Sequence, residues 1–93
     1  MTDKNLEPEV NYLLSIINPI ASDPNAVNIE HIIDEKGILL NVSANKEDTG
    51  LLIGKKGETA KALRRLLRLF GMRNEKRIAI KIIEPGGHGD LKY

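Results

Sequence analysis

Residues 50–63 read GLLIGKKGETAKAL, and the tetrapeptide Gly54-Lys55-Lys56-Gly57 inside it constrains the fold more than any other feature of the chain. Glycine costs backbone entropy in a regular element, and two adjacent ammonium groups repel each other, so these residues suit neither a core nor a helix interior. Both flanks are helix-forming. Asn45 is a suitable N-cap for a short helix running to about Leu51 or Leu52. From Glu58 to Phe70 the chain is rich in Ala, Leu, Lys and Arg, with Gly71 as the expected stop. The tetrapeptide is therefore read as a tight bend between two helices.

Such a bend leaves backbone N–H groups without intrahelical carbonyls, and the second helix adds the partial positive charge of its N-terminus. Together these make an anion site built mostly from main chain, which glycine keeps open by removing Cβ atoms. Lys55 and Lys56 would add cationic attraction from the tip. A nucleotide-binding P-loop is excluded, since it needs four residues between its glycines and Ser or Thr after the lysine. Gly50 and Gly54 enclose three residues, and Lys55 is followed by Lys56. An ordinary helix–turn–helix joint with solvated lysines is the other reading of the same four letters.

The helix after the bend carries a second pattern. At about 100° per residue, Lys61, Arg64, Arg65 and Arg68 fall in one arc, either a solvated face or a phosphate rail. Ala60, Ala62, Leu63, Leu66, Leu67, Leu69 and Phe70 fill roughly half the circumference, wider than one sheet contact requires. Either the first helix covers the excess or a second subunit does. That first helix is signalled by Pro8 and the Val10, Leu13, Leu14, Ile17 spacing, and Pro19 should end it. VNIEHII, with Val27, Ile29, His31 and Ile33 alternating, and ILLNVSA read as strands joined through DEKG, and RIAIKII as a last strand. The expected order is helix, strand, strand, helix, bend, helix, strand, an α+β layer of three helices on one face of a three-stranded sheet.

With 93 residues the chain has room for one domain and one modest core. Without cysteine there is neither disulfide nor thiolate metal site. The opening MTDKNLEPEV lacks the layout of a secretory signal, and no apolar run spans a membrane, so the expected location is the cytoplasm. Charge is segregated: residues 1–50 hold nine acids and three bases, net −6, and residues 51–93 hold four acids and eleven bases, net +7. A basic face of this kind is the footprint of a polyanion binder. No convergent acid, base or nucleophile suggests an enzyme, His31 reads as a core or edge residue of a strand, and no His/Asp/Glu spacing suggests a metal. No cofactor and no small-molecule substrate are expected.

The IGxxG bend between two helices, in this element order, resembles the type II (bacterial) KH domain. DTGLLIGKKGETAKALRRLL, the earlier DPNAVNI and the closing KRIAIKIIE are similar to the small single-KH bacterial proteins of the KhpA family. The resemblance implies a mixed sheet in an α-β-β-α-α-β order over residues 6–84; residues 1–5 are expected to be flexible, and the composition of the Gly-rich 85–93 predicts disorder. It further implies single-stranded RNA held along its backbone by Gly54, Lys55, Lys56 and Gly57, about four nucleotides in all. Ile53, Ala60 and Leu63 would form an aliphatic floor, with Lys61 and Arg64 beside it. Base stacking would be minor, because Tyr12, Phe70 and Tyr93 are the only aromatic residues. Implied partners are a second copy, through Leu66, Leu69 and Phe70, and a larger protein of the KhpB (Jag/EloR) type. Implied roles are RNA chaperoning, cell elongation and cell-wall homeostasis. The alternative is a protein-interaction (dimerisation) module of KH fold with weak or no RNA binding. Two positions depart from the family pattern. Leu51 stands where a basic residue is frequent, and Glu58 sets a negative charge beside the phosphate track.

Overall fold

Pro8 opens the first helix, α1 (Pro8–Ile17), where a missing N–H costs nothing, and Val10, Leu13 and Ile17 turn inward. The helix closes as expected before Pro19. The amides of Ile20 and Ala21 both fold back onto the Ile17 carbonyl, at 3.0 and 2.9 Å. The computed structural model describes residues 7–83 and the backbone of 90–91. After a short 3-10 turn at Pro24–Ala26, strands β1 (Asn28–Asp34) and β2 (Gly37–Ser43) form an antiparallel hairpin. Asp34 Oδ1 accepts from the amides of Lys36 and Gly37, which fixes the turn. At Gly37, φ is 134° and a Cβ would press on the Arg77 backbone. Glycine is required there.

Helix α2 (Lys46–Ile53) begins at Asn45, whose side chain accepts from the Asp48 amide at 2.8 Å, the expected cap. Helix α3 (Glu58–Arg73) follows the bend, and β3 (Ile78–Ile83) joins β2 in parallel, giving a mixed sheet with β2 between β1 and β3. The α-β-β-α-α-β order is the one expected. A two-residue strand, β4 (Asp90–Leu91), pairs antiparallel with the end of β3, inside the stretch expected to be disordered. The rest of that expectation, and the one for residues 1–5, lies outside the described residues.

Three further expectations change. Gly71 does not stop α3. The helix runs two residues past it, to Arg73, and Gly71 is buried because a Cβ there would overlap the Lys76 carbonyl oxygen. The stop lies at Asn74 and Glu75, where Lys76 N–H donates to Gly71 O at 2.7 Å and Glu75 takes a left-handed φ of 57°. Ile33 follows the inward alternation but is 68% exposed, since it sits beside the hairpin tip on the edge strand. Leu14 is only half-buried.

The core lies between the sheet and the helices. Leu40 and Val42 of the central strand meet Leu13 and Ile17 of α1, Leu52 of α2 and Leu63 and Leu67 of α3. Two buried carboxylates tie this layer to its surroundings. Asp48 accepts from the amides of Ser22 and Asp23 at 2.8 and 3.1 Å, pinning the α1–β1 connection to the start of α2. The Ser22 amide, and with it that of Asp23, holds the Asp48 carboxyl below its usual range in spite of burial.

Glu9, 1% exposed, meets Lys76 Nζ at 2.8 Å and His31 Nε2 at 2.5 Å, joining α1 to β1 and to the α3–β3 connection. Burial opposes its ionisation, but the hydrogen bonds from Lys76 and His31 outweigh it, so its pKa is lowered. His31 is thus a half-buried partner of Glu9 on an edge strand. The fold also brings ligand-type atoms of Glu7, Glu9 and His31 within 4.8 Å of one another, a grouping that sequence spacing could not reveal. Both oxygens of Glu9 are already engaged by Lys76 and His31.

Because both carboxylates ionise more readily folded than unfolded, their contribution to stability is complete above the ordinary carboxylate range. It is lost as pH falls through the lowered folded values. Glu9→Gln is expected to cost about 1–3 kcal/mol at neutral pH, by leaving buried donors poorly paired. It should also flatten the acid limb of stability against pH, measured by urea unfolding. An unchanged limb would mean that the Glu9 network contributes nothing in solution.

Candidate nucleic-acid interface

The bend is built from consecutive backbone states that only a glycine-rich sequence supports. Gly54 has φ 76° and ψ 174°, a region essentially closed to side chains, and a Cβ there would stand 2.8 Å from Thr59 Cβ. Lys56 follows at φ 56° and ψ 25°, and Gly57 caps α3 at φ 76° and ψ 15°. This left-handed run breaks the helical ladder. The amide of Gly54 still reaches Gly50 O at 2.9 Å, that of Gly57 reaches Gly54 O at 3.2 Å, and that of Glu58 reaches Lys55 O. Both lysine side chains are exposed. Two ammonium groups therefore stand at one solvent-facing tip, beside the N-terminus of α3.

Around this tip the expected residues separate. Ile53 is half-buried at the end of α2, and Lys61 and Arg64 lie exposed and half-buried along α3. Ala60 and Leu63, expected as an aliphatic floor, turn inward at 2% and 3% exposure and belong to the core. The register puts them on one stripe with the fully buried Leu67, so they support the bend from beneath. Glu58 sits exposed in the first turn of α3, where a carboxylate complements the helix dipole. Leu51 is 45% exposed.

The wide apolar arc of α3 is divided. Phe70 stacks on Tyr12 of α1, with ring centroids 4.8 Å apart, so the first helix does cover that end. Leu66 and Leu69 stay 37% and 51% exposed. On the other flank the basic arc borders two open depressions. One, of about 440 Å³, lies between Arg64, Arg68 and Met72 of α3 and residues 76–79, with Ile78 and Ala79 of β3 as its wall. The sequence pattern did not mark Lys76 and Arg77 for this place. Their only signal was the basic pair preceding the alternation of β3. The second depression, of about 450 Å³, is lined by Lys61, Arg64, Arg65, Arg68 and Leu69.

A glycine-bounded bend between two helices, packed on a mixed sheet of β1, β2 and β3 in this order, defines the KH class of domain. The family model for the KH domain of KhpA/KhpB matches residues 11–82. The chain is 39% identical over 72 residues to the RNA-binding protein KhpA of Listeria monocytogenes, covering 77% of this chain and 95% of that one. It is 32% identical over 84 residues to the RNA-binding protein KhpA of Bacillus subtilis, covering 90% and 100%. With the same-named protein of Chlamydia pneumoniae it shares 36% over 73 residues, 78% of this chain and 94% of the other. The chain belongs to the KhpA/KhpB family of KH-domain proteins.

The bend's geometry makes a direct prediction. Gly54→Ala should destabilise the domain by about 1–3 kcal/mol, through the forbidden φ and the clash with Thr59. Lys55→Ala, at an exposed position with ordinary φ, should fall within about 0.5 kcal/mol of the parent. Equal midpoints for the two in chemical denaturation would show that the bend yields to a side chain at Gly54.

Proposed function

We propose that the chain binds single-stranded RNA, gripping its sugar–phosphate backbone at the Gly54–Gly57 bend. The observation that carries the reading is the glycine-bounded, left-handed bend at the N-terminus of α3, which carries the exposed side chains of Lys55 and Lys56. A phosphate suits the partial positive charge of a helix N-terminus and the two ammonium groups beside it. Ile53, Lys61 and Arg64 continue the contact toward the groove between α3 and β3. About four nucleotides fit a clamp of this kind. The work asked of the site is binding, which needs no reactive side chain. The names of the relatives, each an RNA-binding protein, support the reading.

The finer role rests on family likeness: an RNA chaperone or post-transcriptional regulator in the cytoplasm, tied to cell elongation and cell-wall homeostasis, with a KhpB-type protein as heteromeric partner. Among the described residues, no helix is long and apolar enough to cross a membrane. A homodimer is supported by exposed Leu66 and Leu69, which leave an apolar edge on α3 that α1 does not cover. That same edge is what favours the second reading, a KH-fold interaction module.

Replacing Lys55 and Lys56 together by Asp should abolish single-stranded RNA binding while leaving the thermal transition intact. The dependence of log K on log salt should flatten by about 0.7 for every phosphate no longer held. Wild-type affinity and slope in that variant would refute the clamp and favour the interaction module.

The dimer has its own test. Leu66→Asp should give a folded monomer by light scattering at concentrations where the parent is dimeric. A variant of unchanged mass would remove Leu66 from any interface. Phe70 is unsuited to this experiment, because its stacking on Tyr12 makes its loss a matter of folding.

A further inference from the structure

The outer flank of α3 carries more positive charge than the bend and its groove require. Lys61, Arg64, Arg65 and Arg68 recur at i, i+3, i+4 and i+7, so neighbours along this flank are like-charged and disfavour the helix that bears them. Among the described residues none of the four has a carboxylate within ion-pair distance, whereas Lys76 is matched by Glu9. They line the depression of about 450 Å³ together with Leu69. Arg64 and Arg68 also line the depression that β3 walls, so the two hollows adjoin across these side chains. From Lys61 to Arg68 this flank extends about 10 Å along the axis.

We propose that the RNA site does not end in the groove but continues over the outer flank of α3, where Arg65, with Lys61 and Arg68, holds phosphates beyond those gripped at the bend. The inference rests on the RNA-binding reading above. It names the ligand as a single strand longer than the clamp alone can engage. A nucleic-acid strand is favoured over an acidic protein because the two hollows adjoin, so that one strand can run on from the bend through both.

Arg65 is exposed, and it lines only the outer hollow, so it separates the two parts of the site. Binding would be measured by fluorescence anisotropy, over a salt series, with an oligouridylate of about four nucleotides and with one roughly three times as long. Arg65→Ala should leave the short oligomer's affinity unchanged. It should weaken the long one severalfold and flatten its salt slope by about 0.7, and Arg65→Lys should restore that slope. Unchanged binding of both oligomers, or equal weakening of both, overturns the extension while leaving the clamp in place. An equal loss of affinity for polyglutamate overturns it in favour of an acidic protein partner. Failure of the parent protein to bind either oligomer defeats the RNA reading itself, and this inference with it.

Discussion

Gly54 passes so close to Thr59 that no side chain can stand between them, and the direction of α3 relative to α2 follows from that approach. With this bend set, Leu52 at the end of α2 and Ala60, Leu63 and Leu67 along α3 reach one core. The same constraint produces the chemistry of the tip. A chain forced through left-handed states at Lys56 and Gly57 cannot present successive amides to the preceding turn. The exposed lysines are a consequence of packing beneath them, since the residues on the inner side of the bend are among the most buried of those described.

Charge is distributed by a related logic. The acid-rich first half of the chain contributes the two carboxylates that the fold uses internally, Glu9 and Asp48. Asp48 is satisfied by backbone amides and takes no cation among the described residues. Glu9 engages Lys76 and His31, which leaves the cations of the bend and of the outer flank of α3 without carboxylate partners among the described residues. A fold that satisfied its buried acids with surface arginines would have no positive face to offer. Here the buried acids are met mainly by main chain and by one loop lysine, and the helix keeps its charge.

Much of this was legible in local sequence, where the physics is also local. Pro8 opening α1, Asn45 capping α2, the turn before Gly37 and the Gly54–Gly57 bend each depend on residues within one turn of one another. Long-range features were opaque. Glu9 finds His31 and Lys76 across 22 and 67 positions, and nothing in the spacing of those residues marks them as partners. Gly71 looked like a stop because glycine so often is one. Its reason is a carbonyl from Lys76, which only the tertiary path brings near. Periodicity placed Ala60 and Leu63 on a common stripe with Leu67, but a stripe does not say whether core or ligand covers it. The division of the α3 apolar arc was likewise undecidable without the stacking of Tyr12 on Phe70.

The three faces of α3 bear on how a site of this kind could reach useful affinity. Its inner stripe is fixed by the core, so the helix cannot roll to bring more cations to the bend without exposing Leu63 and Leu67. What remains at the tip is a helix N-terminus and two exposed ammonium groups, and interactions of exposed charges are individually weak and screened by salt. A small domain with few aromatic residues also has little stacking to add. Strength must then come from number, either from more phosphates along one strand or from a second copy bound to the same strand. The exposed surface of α3 offers something to each, with Leu66 and Leu69 exposed and Leu69 bordering the hollow that the arginines line. Linking two weak sites raises affinity without new chemistry at either, provided that the geometry lets both engage at once. Because Leu69 shares the outer hollow with Lys61, Arg65 and Arg68, a copy seated on Leu69 would compete with a strand laid over that hollow, whereas a copy seated on Leu66 alone would leave it open.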